Sequence, residues 1–406
     1  MKKFLCVLLA AMLVMALAAG GGGDDGQTAT ASFVEGDSAA ASTPEAGGED
    51  NTPSGDEILI GGLAPQTGEV SQYGMMAMHG AELAVKEINA AGGVMGKQVM
   101  FNCLDEQGDA TEAVAAYNKL MQDGMVALWG DVTTKPSLAV AQRAVEDDIV
   151  MITPTGTGAD ITIDRPNVFR ACFTDPYQGE LMAKYAKEEL GAATASVLYD
   201  STDDYSEGVY ESFKATAESI GLEVLDEESY EQGASDFNAQ LTKIKNKNPD
   251  VIMVPCYYED ASKIIAQARG LGIESKLLGP DGWASLLGHM DESNLAALDG
   301  AYYSNQYDMA NPGTEMQKFM ADFEAEYGEA PDMFAALGYE AMYLLCTSID
   351  NAGSTDTGEI VQAFHRVDYT GLYGRISYEN GNDPTRGACI VEFKDGTEVS
   401  LGMYTA

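Results

Sequence analysis

Between Glu57 and Met100 the chain reads EILIGGLAPQTGEVSQYGMMAMHGAELAVKEINAAGGVMGKQVM. The apolar run Ile58-Leu59-Ile60 predicts a buried strand, closed by Gly61-Gly62 and a polar loop. Met76, Gly80, Leu83, Ala84, Ile88 and Ala91 recur at helical spacing, Gly92-Gly93 stop the helix, and a second strand starts near Gln98. This is one strand–loop–helix–strand unit, the building block of a parallel sheet. In such sheets the loop after the strand meets the ligand. Here that loop carries Thr67, Gln72 and Tyr73, with no GxGxxG and no P-loop lysine, a chemistry suited to a small polar organic molecule and not to a nucleotide.

The alternation continues. Helices are expected over 111–123 and 137–146, and strands over 126–129, 149–152 and 168–171. The loops Gly130-Asp131-Val132-Thr133-Thr134 and Thr153-Pro154-Thr155-Gly156-Thr157 follow two of these strands. Asp175-Pro176 marks a crossover, after which strands and helices alternate again as far as Pro280. Two such runs make an α/β protein of two doubly wound lobes. A return to the first lobe is expected after Tyr302–Tyr307, with helices over 313–327 and 333–349, and a last passage into the second lobe near Tyr369–Tyr373, ahead of a strand over Cys389–Phe393.

Lys2-Lys3 and the apolar run Phe4 to Ala19 read as a secretory signal, too short for a span of ~20 residues. Leu17-Ala18-Ala19 is similar to a lipobox, with Gly20 where the lipidated cysteine would stand. Residues 20–54 are small, acidic and nearly free of apolar side chains, the composition of a disordered tether. The remainder holds 21 basic against 57 acidic residues, a net charge of −36, which argues against nucleic acid and anionic lipid as partners. Beyond Cys6 there are five cysteines, an odd number with no CxxC, and buried free thiols are expected.

TGEVSQYG, GAELAVKEINAAGG and MITPTGT resemble the extracytoplasmic solute-binding proteins of branched-chain amino acid ABC transporters, and the similarity runs from Glu57 to the C-terminus. The resemblance implies the type I periplasmic-binding-protein fold with three hinge crossovers. On that pattern residues 1–19 are signal peptide, 20–54 tether, 55–174 and 304–368 lobe one, and 175–303 and 369–406 lobe two. Gly108 and Thr133 occupy the positions of a disulfide found in many relatives.

A zwitterionic amino acid needs donors for its carboxylate and an acceptor for its ammonium. Taken alone, Thr134, Thr155 and Thr157 read as caps or turn residues, and Pro280-Asp281-Gly282 as a turn. The resemblance assigns Thr134 and Thr157 to the ligand carboxylate, Thr155 to a backbone contact and Asp281 to the ammonium. It also places Tyr73, Tyr205, Tyr257 and Phe334 around the ligand side chain. Trp283, beside Asp281, is expected either to set pocket size by pointing into the cleft or to pack elsewhere.

His79, His289 and His365 are scattered, and no HExxH, GxSxG or metal-ligand spacing occurs, so neither an enzyme nor a cofactor or metal is expected. The reading is a monomeric carrier of a hydrophobic amino acid, working outside the cytoplasmic membrane and delivering to ABC permease subunits. The alternative is a sensor of the same fold for an amide or related solute.

Overall fold

The computed structural model describes residues 55, 57–379 and 381–404. The expected signal segment, the tether and Gly20 lie outside them.

Strand β1 (Glu57–Ala64) is buried along almost its whole length, as a central parallel strand covered on both faces must be. It leads into α1 (Ser71–Ala90) and β2 (Gln98–Asp105). The order then continues as α2 (Ala110–Asp123), β3 (Ala127–Trp129), α3 (Thr134–Glu146), β4 (Val150–Thr153) and β5 (Val168–Arg170). Helix α2 shows why the boundaries fall where they do: Asp109 caps its first N–H groups, and Gly124 ends it at φ +87°. The five strands form an all-parallel sheet, β2-β1-β3-β4-β5.

The second lobe begins with α4 (Asp175–Glu188), β6 (Thr194–Asp200), α5 (Asp204–Ile220), β7 (Glu223–Tyr230) and α6 (Asn238–Lys247). It continues through β8 (Val251–Met253), α7 (Tyr258–Gly270), β9 (Lys276–Gly279), α8 (Leu286–His289) and β10 (Ala301–Asn305). After α9 (Thr314–Tyr327), α10 (Met333–Ala352) and α11 (Thr357–Phe364) come β11 (Tyr369–Gly371), β12 (Gly374–Ile376), β13 (Ala388–Lys394) and β14 (Thr397–Tyr404). The second sheet has the order β14-β13-β10-β9-β8-β6-β7, with every strand in one direction except β13, which pairs antiparallel with both β10 and β14.

Helix α10 returns to the first lobe and packs on α1 backbone to backbone. A Cβ on Gly80 would lie 2.0 Å from the Ala335 carbonyl oxygen, and one on Gly338 would lie 2.0 Å from that of Ala77. Only glycine permits this approach.

Two expected boundaries move. Strand β10 stays in the second sheet through Asn305, which pairs with Cys389. The passage expected at 369 is instead the separate β11–β12 ladder, held on the α10 side by the Leu372 N–H donating to Glu340 at 2.6 Å. The chain joins the second sheet at Ala388. Helix α11, capped by Asp356, and strand β14 have no counterpart in the sequence expectation.

Three stretches, 171–174, 306–313 and 377–387, connect the lobes. Arg386 ties them together: its Nε donates to the Ala171 carbonyl at 2.8 Å, and a terminal nitrogen pairs at 2.8 Å with Glu340, which also accepts from the Tyr307 hydroxyl.

Candidate functional site

The loops at the carboxyl ends of β3, β4 and β9 converge with the first turns of α1, α5 and α10 on one small cavity between the lobes. Its walls are Tyr73, Val132, Thr133, Thr134, Thr155, Thr157, Tyr205, Tyr257, Asp281, Gly282 and Phe334. The eight residues singled out in the sequence for ligand contact are all among them. Val132, Thr133 and Gly282 were not singled out, although each adjoins a residue that was.

The threonine side is a continuous polar scaffold. The Thr155 hydroxyl donates to the Val132 carbonyl at 2.6 Å, and the Thr134 hydroxyl accepts from the Gly158 N–H at 3.2 Å. Thr134 opens α3, so free N–H groups and the positive end of the helix face the same space. The loop rests on a buried acid pair, Glu106 and Asp131, both inaccessible to solvent. Glu106 Oε2 accepts from the Gly108 N–H at 2.7 Å, and Asp131 Oδ1 accepts from the Val132 N–H. Glu106 Oε1 and Asp131 Oδ2 are left without partners when both groups are ionised. Burial holds both carboxyls above the usual carboxylate range, and for Glu106 the charge of Asp131 adds to the effect. One proton held between these two oxygens satisfies both.

Across the cavity, Asp281 stands on a buried 3₁₀ turn, Asp281–Trp283, at the end of β9. Its Oδ1 accepts from the Tyr205 hydroxyl at 2.7 Å, and its N–H donates to Gln178 at 2.9 Å. Burial lifts its carboxyl to about 6, against hydrogen bonds from Tyr205, Gln178 and Gln306 that favour the charge. No lysine, arginine or histidine lines the cavity. A second buried acid, Asp175, is joined to Asp281 through Gln178, whose amide bonds to both. It is 1% exposed, one oxygen accepts from Gln178 at 3.1 Å, and the other has no partner. In the sequence Asp175 marks only a crossover, because Asp-Pro is also an ordinary helix start.

Aromatic rings close the sides. Tyr73 stacks on Phe334 at 4.3 Å, and Tyr205 on Tyr257 at 4.7 Å. The Tyr73 hydroxyl donates to the Gly282 carbonyl and accepts from the Tyr258 N–H at 3.1 Å, so a first-lobe side chain is bonded to second-lobe backbone. The lobes are therefore closed on each other. The space left for the centre of a water-sized sphere is about 10 Å³, room for about one water molecule.

Trp283 does not enter the cavity. It is fully buried, its indole N–H donates to the Val254 carbonyl at 3.2 Å, and its ring lies 2.0 Å from where a Gly279 Cβ would stand. Of the two directions open to Trp283 in the sequence, the structure has the second: the 3₁₀ turn sends Asp281 toward the cleft and Trp283 into the core behind β8 and β9. The five cysteines are free thiols.

An all-parallel sheet, a second sheet of mixed direction, three connections and a cavity between the carboxyl ends of the strands define a two-lobed solute-binding protein. Residues 57–398 match the family model described as periplasmic binding protein. The Leu/Ile/Val-binding protein BraC3 of Rhizobium johnstonii is 30% identical over 81% of this chain and 89% of its own. A leucine-binding protein, LivK of Thermotoga maritima, superimposes with a TM-score of 0.80 at 30% identity, over 86% of this chain and 99% of that one. LivJ of Streptococcus pneumoniae, solved in complex with isoleucine, gives 0.80 at 29% identity, over 86% of this chain and all of its own. The chain belongs to the periplasmic binding protein family, among the Leu/Ile/Val-binding proteins. Among the described residues no helix is long and apolar enough to cross a membrane.

Proposed function

We propose that this chain captures a free α-amino acid with a hydrophobic side chain between its lobes and delivers it to an ABC permease. One observation carries the reading: Asp281 is a buried carboxylate with hydrogen-bond donors but no cation, in a cavity whose opposite wall supplies hydroxyls and a helix N-terminus. The ligand ammonium pairs with Asp281. Its carboxylate takes the Thr134 and Thr157 hydroxyls and N–H groups at the start of α3, with Thr155 contributing backbone. Its side chain lies among Tyr73, Tyr205, Tyr257 and Phe334. Because the closed cavity is so small, the two ring pairs must part for entry and close again over the ligand, excluding water from the ion pair.

Hinge motion is assigned to the three connecting stretches, with 57–170 and 314–376 moving together as one lobe and 175–305 and 388–404 as the other. The protein acts as a monomer, not an enzyme, on the outer side of the cytoplasmic membrane, exported by its N-terminal segment. Thermal-shift measurements against the protein amino acids, small amides and sugars test the reading. Leucine, isoleucine or valine at a hundred times its dissociation constant should stabilise the fold by ~2.7 kcal/mol. Stabilisation by an amide or sugar, with none by any amino acid, would overturn it.

A further inference from the structure

Thr157 stands between two glycines in a stretch, 154–158, that has no regular secondary structure. A Gly-Thr-Gly backbone has little stiffness of its own, so its conformation is set by what holds it. Both glycines are tightly seated. A Cβ on Gly156 would lie 2.6 Å from the Thr153 hydroxyl oxygen, and one on Gly158 would lie 2.5 Å from the Thr134 methyl carbon.

Behind this loop stands Arg170, the last residue of β5, with a fully buried side chain. One terminal nitrogen donates to the Gly156 carbonyl at 2.8 Å and the other to the Gly158 carbonyl at 2.8 Å. The second nitrogen also meets the Thr162 hydroxyl at 3.2 Å and the Ala159 carbonyl at 3.4 Å. The guanidinium therefore grips the backbone on each side of Thr157. Its Nε pairs at 2.7 Å with Asp383, whose same oxygen accepts from the Thr162 hydroxyl at 2.9 Å. Asp383 belongs to the third connection between the lobes, and the neighbouring Asn382 carbonyl accepts from the Arg170 N–H at 3.2 Å.

Burying a guanidinium is costly unless its donors are employed, and here most of them are spent on this one loop. In a trans peptide the C=O and the N–H point in opposite directions. The Gly156 carbonyl is turned to Arg170, so the N–H of Thr157 turns away from it, and among the described residues that N–H has no partner. Thr157 lines the cavity, whose walls carry no cationic side chain. A peptide bonded to a cation at its oxygen is polarised and is a stronger donor at its nitrogen.

On the amino acid reading given above, we propose that Arg170 is a positioning residue for carboxylate recognition: it fixes Thr157 against the ligand carboxylate and polarises the Thr157 N–H toward it. Arg170 does not touch the ligand. Asp383 holds the guanidinium in turn, so the third connection and the carboxylate end of the site share one side chain.

Titration calorimetry of the full chain with leucine, and with 3-methylbutylamine by displacement of leucine, tests this. The amine keeps the ammonium and the side chain but has no carboxylate. Arg170→Gln should weaken leucine by about tenfold or more and the amine by less than about twofold. Arg170→Lys keeps the charge without the planar fork, and should recover only part of the loss. Asp383→Ala alters a side chain that is 42% exposed, and should weaken leucine by about threefold, again without moving the amine. Should Arg170→Gln fail to fold, Asp383→Ala carries the test. Equal losses for the two ligands would make Arg170 a structural residue, and unchanged leucine affinity in the folded variants would overturn the proposal as well, with the amino acid reading left standing. Failure of the unmodified protein to bind leucine would instead overturn that reading, and this proposal with it.

Discussion

The phenol of Tyr73, on the first helix of lobe one, donates its hydrogen bond to the backbone carbonyl of Gly282, on the turn of lobe two that carries Asp281. The same oxygen accepts from the Tyr258 N–H. One hydroxyl therefore ties two backbone groups of the opposite lobe. Tyr73→Phe keeps the ring stacked on Phe334 and removes both bonds. Leaving a buried N–H unsatisfied costs about 1–3 kcal/mol, and that cost falls on the closed state. Ligand affinity by titration calorimetry should drop about 5- to 150-fold, while thermal stability of each lobe changes little. Unchanged affinity would show that this contact does not hold the lobes closed.

Asp281 sets a pH dependence whose sign follows from burial. Its carboxyl in the ligand-free protein sits at about 6, above the ordinary value of about 4. Below about pH 6 it is protonated and offers no charge to an ammonium, so amino acid affinity falls toward tenfold per pH unit. In the free protein the same group contributes stability below about pH 4 that is lost as pH rises through about 6. Titrations at pH 5 and pH 7 should therefore differ, and Asp281→Ala should abolish the difference while costing about 3–5 kcal/mol of binding.

The Glu106–Asp131 pair predicts a separate effect on stability. Glu106 keeps its proton well above the usual carboxylate range because it is buried beside Asp131. A group whose folded value is raised stabilises at low pH and loses that contribution as pH rises. Glu106→Gln carries a permanent donor in the same place, so its melting temperature should fall less than that of the unmodified protein between pH 5 and pH 9, with the slope difference bounded by about 1.4 kcal/mol per unit. Parallel melting curves across that range would mean the two carboxyls share no proton.

Trp283 and Gly338 are assigned to packing. Trp283→Val should cost about 3–5 kcal/mol of stability and weaken alanine, valine, leucine and phenylalanine in equal proportion. Gly338→Ala should part α1 from α10 and destabilise by about 1–3 kcal/mol. A shift in ligand preference on Trp283→Val would return that ring to the cavity.

The repeating strand–loop–helix pattern made the two lobes legible, because buried parallel strands such as Ile58-Leu59-Ile60 and their punctuating glycines are local signals. The threonine loops were legible for the same reason. The direction of Trp283 was not, since a three-residue turn can send neighbouring side chains to opposite sides. Asp175, Glu106 and Asp131 were hidden by abundance: in a chain with 64 acidic residues, only burial distinguishes the ones that matter. The β11–β12 ladder was misplaced because its anchor, Glu340, lies on a helix distant in sequence.

Leucine, its analogue without the amino group (4-methylpentanoate) and its analogue without the carboxylate (3-methylbutylamine) separate the two ends of the site in a single set of calorimetric titrations. Leucine should bind one to one, and each analogue should bind at least about 100-fold more weakly, a loss of about 2.7 kcal/mol, because each leaves buried polar groups unpaired. If 4-methylpentanoate binds as tightly as leucine, Asp281 does not receive an ammonium and capture of an amino acid in this cavity is contradicted.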